Sequence, residues 1–320
     1  MSIDPGLLRE AYLQACECEI NAFKPGNVSV YSDGHGMRVD DFRISAEVSA
    51  DALVDKNLTL GRKIYTALEK TAAGVGCNTN LGIVLLCAPL MEAMQRDLQG
   101  GLRNRLRCVL NTTTLDDSIW AYRGIRLARP AGLGESAQED VKTRPALALR
   151  DAMRIAAARD RIAYQYVSAY RDVFETAKNR YHTALGQWGD EIWAAVAVFV
   201  ALLARIPDSH IERKYGKRFT GMVTMRMASL DEKLSVSDNP EQLIDHLREV
   251  DEQFKNAGIN PGTTADLTVA TLVAVRLERL LDNDLSKSIE TSVKGCGRFK
   301  KKQGHCFKIA NKGDNNNVVS

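Results

Sequence analysis

The chain is poor in aromatic residues and in proline. Only 6% of its 320 residues are Phe, Trp or Tyr and 8 are Pro, whereas 45% are hydrophobic. Much of that apolar content is Ala and Leu, and no stretch sustains an alternation of apolar and polar residues. This pattern favours helices over β-sandwiches or barrels. The sequence therefore predicts an all-α fold, a single compact multi-helix domain.

Common catalytic and nucleotide-binding motifs are missing as well. The chain contains no GxxxxGK[ST] loop, no GxGxxG turn and no HExxH helix, and its 5 histidines suggest no Ser-His-Asp or Cys-His arrangement. These absences argue against a standard phosphate loop, a dinucleotide fold and a zinc protease. The chemistry that remains is that of carboxylates with a divalent cation.

No segment of the sequence predicts a membrane or secretory location. The longest apolar run, Ile192 to Ala204, falls short of the roughly 20 residues that span a bilayer. The first ten residues have no basic segment followed by an apolar one. The 7 cysteines follow no regular spacing, which is typical of reduced thiols. We expect a cytoplasmic protein with no membrane partner.

Charge is distributed unevenly along the chain. Residues 286–320 contain eight Lys or Arg and two acidic residues, so this tail carries +6 and the remainder carries −3. The tail has few large apolar residues, and we expect it to be disordered or appended. The sequence thus predicts a helical domain over residues 1–285 and a basic tail over 286–320. The acidic body has no basic-aromatic face, which argues against nucleic acid as a partner.

Apolar residues recur at spacings of three and four along most of the chain. They predict helices over residues 5–22, 41–55, 59–73, 80–98, 101–110, 115–128, 145–180, 190–205, 217–235, 240–256 and 264–282. Two helix starts have a hydroxyl three residues before a carboxylate, Thr114 with Asp117 and Thr263 with Asp266. Both patterns predict capping boxes with Asp in place of Glu.

Three loops combine proline or glycine with small polar residues, and each leads into an apolar helix. They are Lys24–Asn27, Gly76–Asn80 and Asn260–Asp266. Helix N-termini present unpaired N–H groups and the positive end of the macrodipole. These loops are therefore candidate cradles for phosphate or another anion.

Carboxylates interrupt the apolar faces of two predicted helices. Asp160 lies within a helical stripe, and Glu19 lies among apolar residues just before the Lys24 loop. A carboxylate in such a position must be paired or must bind a cation. For Asp160, a salt bridge to Arg159, to Arg161 or to a neighbouring helix is the structural alternative to a role in a site. For Asp40 and Asp41, the alternative is capping the next helix.

Taken together, these segments resemble the family of triphosphoribosyl-dephospho-CoA synthases, the CitG-like transferases. The resemblance spans about residues 8–282. The matching segments are Glu19 with Lys24–Val28, Asp41–Phe42 with Ser45–Ala46, Asn78–Asn80 with Gly82–Ile83, Asp160–Ala163, Asp208–Gly216, and Asn260–Gly262 with Ala265–Asp266. Their order along the chain carries more weight than any one of them.

The resemblance implies an all-helical transferase that moves the triphosphoribosyl part of ATP to the ribose of dephospho-CoA and releases adenine. Asp160 and Asp41 are then the candidate catalytic residues. Mg²⁺ is the implied cofactor, with Glu19, Asp40 and Asp208 as candidate ligands. The candidate substrate and phosphate residues are Lys24, Gly26, Asn27, Ser45, Asn78, Thr79, Asn80, Arg161, Arg213, Thr263 and Asp266.

The sequence departs from the family pattern at its central motif, which usually reads NTHKG. Here Asn80 stands in the place of the histidine and Leu81 in the place of the lysine. A second hypothesis is therefore another condensing transferase of coenzyme biosynthesis, such as one serving a pterin- or furan-type one-carbon carrier. A third is a non-catalytic helical binding protein whose polar loops are only caps.

Overall fold

The structure is a computed structural model that describes residues 3–32, 36–130 and 140–300, with side chains as far as residue 284. Over these residues it forms helices and no β-strand, apart from one isolated bridge between Ser29 and Ser32. The predicted all-α fold is confirmed.

Fourteen α-helices are present in the described residues. Their bounds are α1 Pro5–Asn21, α2 Val39–Val54, α3 Leu60–Val75, α4 Leu81–Gln95, α5 Leu102–Asn111, α6 Leu115–Ala128, α7 Leu149–Ala156, α8 Arg161–Ser168, α9 Lys178–Trp188, α10 Glu191–Arg205, α11 Ser209–Tyr215, α12 Thr220–Val236, α13 Ile244–Asn256 and α14 Gly262–Lys300. A π-helix, Asp172–Ala177, precedes α9, and short 3₁₀ turns precede α12 and α13.

The predicted helix over residues 145–180 is wrong, because this segment is broken twice. The chain turns between α7 and α8, and Asp160 is the N-cap of α8 rather than part of a continuous stripe. Ala169 and Tyr170 then take the left-handed conformation, with φ of 49° and 57°, and end α8. A second error is the absence of α11 from the prediction, since this helix lies between the predicted helices over 190–205 and 217–235.

Three helices contain long buried segments. α4 is buried from Gly82 to Met94, α10 is buried from Ala194 to Ala204, and α14 contributes buried residues around Val273. Helices that are apolar on all sides are stable only inside a protein. The amphipathic helices pack around them, with α4 contacting α2, α3, α5 and α8, and α10 contacting α1, α9 and α12.

Two tyrosines tie α8 and the segment after it to α4. The Tyr166 hydroxyl donates to the Leu85 carbonyl at 2.6 Å, and the Tyr170 hydroxyl donates to the Leu86 carbonyl at 2.8 Å. Pro89 lies inside α4 and has no N–H to donate to the carbonyl four residues earlier, that of Leu85. Tyr166 therefore satisfies a carbonyl that the helix leaves unpaired.

By its internal contacts the chain divides into two units, Met1–Leu281 and Asp282–Ser320. Helix α14 continues to Lys300, beyond its predicted end at residue 282. The division into 1–285 and a basic tail stays a prediction, and residues 301–320 lie outside the described part of the chain. No single helix in the described residues is long and apolar enough to cross a membrane; one bent pair, Glu191–Arg205 with Ser209–Arg218, passes that test when taken together.

Candidate functional site

A cavity of about 630 Å³ lies where several helices begin. Residues from the first turns of α2, α4, α8 and α14 line it, together with α11 and the loop after α1. Helix N-termini present unpaired N–H groups and a partial positive charge. Their convergence makes this cavity favourable for an anion.

Three carboxylates predicted from the sequence line this cavity: Glu19, Asp160 and Asp266. Glu19 is buried near the end of α1, where its Oε1 lies 3.2 Å from the Lys24 Nζ. Burial raises the pKa of Glu19, and the Lys24 charge opposes this effect. Glu19 is thus a buried acid with one neighbouring cation.

Asp160 is held by two contacts at the start of α8. Its Oδ1 accepts from the Ala163 backbone N–H at 3.0 Å, and its Oδ2 accepts from Arg213 Nη1 at 2.7 Å. Asp160 therefore forms an ion pair with Arg213 of the neighbouring helix α11, which is one of the structural alternatives predicted from the sequence. The Arg213 side chain lines the cavity, and its buried Nε has no hydrogen-bond partner within the described residues.

Asp266 lies in the first turn of α14 and faces the start of α4. A Cβ atom built on Gly82 would lie 2.0 Å from Asp266 Oδ2, so only glycine allows this approach. Among the described residues the carboxylate has neither a hydrogen bond nor an ion pair. Its pKa is raised well above the usual value, chiefly by burial and then by the negative charges of Asp208 and Glu19. A cation or a proton at this position would relieve that repulsion.

The three polar loops meet at the same cavity. Asn27, Asn78, Thr79 and Asn260 all line it, and Asn27 Nδ2 donates to Asn260 Oδ1 at 2.7 Å. Gly26 adopts a φ of 82°, and its N–H donates to Asp251 Oδ1 at 2.7 Å. The first and third loops are therefore fixed against each other, with their amide side chains at the cavity wall.

Several predicted site residues have structural partners instead and do not line the cavity. Lys24 is buried, and its Nζ donates to the backbone oxygens of Glu19 at 2.6 Å and Ala22 at 3.3 Å. Arg161 donates twice to the carboxylate of Asp172, at 2.6 and 2.8 Å. These contacts occupy the charged groups that were predicted to bind phosphate.

The remaining predicted carboxylates cap helices or lie at the surface. Asp41 Oδ2 accepts from the Arg38 N–H at 2.8 Å. Asp41 therefore caps the N-terminus of α2, which was the structural alternative to a role in the site. The Asp40 side chain is 84% exposed and lies 3.9 Å from Arg43. Neither residue lines the cavity. A catalytic role for Asp41 and a metal role for Asp40 stay predictions.

Asp208 is buried and joins two helices. Its Oδ1 accepts from the N–H groups of His210 and Ile211, and its Oδ2 accepts from the N–H and hydroxyl of Thr264. Thr263 beside it pairs with the Ser209 hydroxyl at 3.0 Å rather than forming a capping box with Asp266. Glu19, Asp40 and Asp208 do not come together, and no group of three His, Cys, Asp or Glu side chains able to hold a metal occurs in the described residues.

Ser45 and Asn80 lie behind the cavity wall. Ser45 is buried and bonded to the hydroxyl of Thr79, so it supports the second loop without lining the cavity. Asn80 is turned toward α2 and α3, whereas Leu81 lines the cavity.

Other lining residues were not predicted as site residues. They include His210, Glu212, Arg159 and Lys217 among the polar ones, and Leu85, Tyr122, Ile125 and Met153 among the apolar ones. His210 and Glu212 lie in the segment Asp208–Gly216, in which most residues are polar or charged. This concentration of polar residues was the sequence feature that could have identified them as site residues. The apolar residues look like ordinary core positions in the sequence, so nothing marked them.

The chain matches the CitG family, described as ATP:dephospho-CoA triphosphoribosyl transferase, over residues 6–284. The chain belongs to this family. The predicted resemblance is therefore confirmed, and with it the assignment to a family of transferases.

A solved structure shares the fold of this CitG-family chain. It is a protein from Archaeoglobus fulgidus described as a triphosphoribosyl-dephospho-CoA synthase, with a TM-score of 0.55 and 21% sequence identity. The match covers 72% of this chain and 96% of the other. No curated protein matches the chain in sequence.

Proposed function

We propose that this cavity binds ATP with Mg²⁺ and transfers its triphosphoribosyl group to dephospho-CoA, releasing adenine. The observation that carries the proposal is the juxtaposition of Glu19, Asp160 and Asp266 with Arg213 in one cavity. Membership of the CitG family supplies the reaction. The cytoplasmic location remains part of the proposal.

The transfer breaks the N-glycosidic bond of ATP and forms a C–O bond to a ribose hydroxyl of the acceptor. The bonding electron pair leaves with adenine, which takes up a proton, while the acceptor hydroxyl loses one. Positive charge develops on the sugar as the bond breaks, and a nearby carboxylate stabilises it. We assign this role to Asp160, which Arg213 and the Ala163 N–H hold at the cavity wall. Asp160 is also the candidate base for the hydroxyl proton.

The triphosphate would lie against the helix N-termini and Arg213. The Arg213 guanidinium is a charge-assisted donor, and the first turn of α4 lines the same cavity with its backbone. Because Arg213 also contacts Asp160, the same side chain can link the phosphate end of the donor to the reacting sugar.

Mg²⁺ fits the site through few protein ligands. Since no three-residue metal cluster occurs in the described residues, the ion would arrive with the triphosphate and take one or two carboxylates. Asp266 is the better candidate because it has no partner in the described residues, and Glu19 is the second. The bound ion would neutralise charge on the retained triphosphate.

Another condensing transferase of coenzyme biosynthesis is the second candidate function. The observation in its favour is that Leu81, in the place of the family lysine, puts an apolar side chain in the cavity, whereas Asn80 faces away from it. The cavity would then take a pyrophosphorylated or nucleotide substrate with a different acceptor.

Adenine release separates these proposals. The protein is incubated with ATP, Mg²⁺ and dephospho-CoA, and free adenine is measured by chromatography with each component omitted in turn. We expect release only with all three, its loss in Asp266→Asn, and its retention in Asp245→Asn, whose carboxylate is 86% exposed. Bound ATP without adenine release would favour the second function. Absence of any Mg²⁺-dependent nucleotide or diphosphate binding by calorimetry would favour a non-catalytic binding protein.

A further inference from the structure

A second cavity of about 600 Å³ lies between α1, α2 and the first turn of α4. Its inner wall is buried and contains Tyr12, Ile20, Asn80 and Val269, and most of the wall is apolar. Its outer rim is exposed and carries the charged residues Glu10, Glu17, Arg43 and Glu47. We call this second cavity the groove.

The groove adjoins the candidate site. Glu19, Phe42 and Ile83 line both cavities. A molecule held in the first cavity could therefore extend a flexible arm past Phe42 into the groove. The arm must be uncharged, because burying a charged group against the apolar wall of the groove would be unfavourable.

One inner-wall residue, Asn80, has a buried polar atom without a hydrogen-bond partner in the described part of the chain. Asn80 is 3% exposed. Its Nδ2 donates to the backbone carbonyl oxygen of Ser45 at 3.3 Å, to Ser49 Oγ at 3.4 Å and to Thr71 Oγ1 at 3.1 Å. The buried Oδ1 has no hydrogen-bond partner in the described residues. Leaving such a buried acceptor unpaired is unfavourable.

The orientation of this amide follows from its neighbours. The hydroxyl of Thr71 donates its proton to the Ala67 carbonyl, and that of Ser49 donates to the Ser45 carbonyl. All three neighbours of Asn80 Nδ2 therefore accept, and a flipped amide would set oxygen against oxygen. The unpaired atom is an acceptor that requires an N–H or O–H donor.

We propose that the groove holds an aliphatic arm with secondary amides, and that Asn80 Oδ1 accepts from one of its N–H groups. The arm that fits the reaction is the pantetheine arm of dephospho-CoA, so this inference rests on the proposed function. That arm is uncharged, flexible and largely aliphatic, and each of its two amides supplies one N–H donor. The acceptor ribose would then lie in the first cavity, next to Asp160.

Binding of pantetheine alone and of dephospho-CoA tests the groove separately from the reaction. Calorimetry measures both dissociation constants, and that of Mg·ATP, for the wild type and for Ile44→Trp and Asn80→Ala. Ile44 lines the groove and is 44% exposed, so a tryptophan there narrows the opening without entering the core. Leu115→Trp is the matched control, because Leu115 is 41% exposed on α6 and lines neither cavity.

We expect the wild type to bind pantetheine, and both groove variants to raise the dissociation constants for pantetheine and dephospho-CoA by about tenfold. Their affinity for Mg·ATP should not change, and Leu115→Trp should behave as the wild type. Equal binding of dephospho-CoA by the wild type and Ile44→Trp would overturn the groove assignment, even with adenine release intact. Groove-dependent binding without adenine release would support the groove and refute the proposed reaction.

Discussion

The contact between Gly82 and Asp266 gives the sharpest prediction for a single substitution. In Gly82→Ala the new Cβ would lie 2.0 Å from Asp266 Oδ2, 2.4 Å from its Cγ and 2.6 Å from Ile162 Cδ1. Non-bonded contacts of a Cβ are essentially never shorter than 3.0 Å, so the carboxylate must move by about 1 Å. Both the position of the proposed metal ligand and the packing at the start of α4 must change.

The Gly82→Ala substitution has two opposite effects on the free energy of unfolding. Overpacking costs about 1–3 kcal/mol, whereas replacing glycine by alanine in a helix gains at most about 1 kcal/mol. A misplacement of about 1 Å in an active site costs roughly a hundredfold in rate. We expect a modest loss of stability in urea denaturation and a loss of about a hundredfold in adenine release.

Gly186→Ala is the matched control, because no atom lies within 4 Å of the Cβ built at this position in α9. It should be as active as the wild type and slightly more stable. If Gly82→Ala kept both wild-type activity and wild-type stability, the close approach of Asp266 to α4 would be refuted, along with the role assigned to Asp266.

Three further substitutions test the account. Asp160→Asn keeps an N-cap acceptor but loses the ion pair with Arg213, so it should lower the free energy of unfolding by about 1–3 kcal/mol and turnover by about 10²–10⁴. Wild-type turnover, measured as adenine release, would remove Asp160 from the mechanism. The pKa of Asp266 is raised in the native protein, so the native state keeps a proton that the unfolded chain loses above about pH 4. The free energy of unfolding of the unliganded protein should therefore fall as the pH rises from about 4 through the native pKa. Asp266→Asn should abolish that fall and should be more stable than the wild type above this pH range. Urea denaturation at several pH values measures the difference, and a variant with the pH dependence of the wild type would contradict the prediction. Tyr166→Phe leaves the Leu85 carbonyl unpaired and should cost about 1–3 kcal/mol in urea denaturation, and no loss would mean that the carbonyl is satisfied otherwise.

Helix positions were predictable wherever the signals were local. The predicted capping box at Thr114 is confirmed: its Oγ1 accepts from the Asp117 N–H at 3.1 Å, and Asp117 accepts from the Thr114 N–H at 2.8 Å. Helix α6 spans the predicted residues 115–128. The same pattern at Thr263 failed because its hydroxyl bonds to Ser209, which is distant in sequence.

The breaks in the predicted helix over 145–180 had little sequence signal. The segment contains no glycine and no proline beyond Pro145, and its apolar spacing continues across both breaks. Ala169 and Tyr170 adopt positive φ although neither is a residue that favours it. Packing of Tyr166 and Tyr170 on the carbonyls of α4 is the contact that holds this geometry, and it depends on residues more than 80 positions away.

The site was predictable where a carboxylate or an amide lies near a helix end. Glu19, Asp160, Asp266 and the polar loops do line one cavity. Sequence could not separate Lys24 or Arg161 from residues of the site, because a buried ion pair and a phosphate contact require the same side chains. Their partners decide the matter, and these are known only once the chain is folded.

The fate of the donor sugar tests the central claim most directly. ATP carrying carbon-13 in its ribose is incubated with Mg²⁺, dephospho-CoA and the protein, and the acceptor is analysed by mass spectrometry. The account predicts that dephospho-CoA gains one triphosphoribosyl group carrying the whole label, together with one free adenine for each product. Unlabelled dephospho-CoA and intact ATP, with both molecules bound to the folded protein, would contradict it.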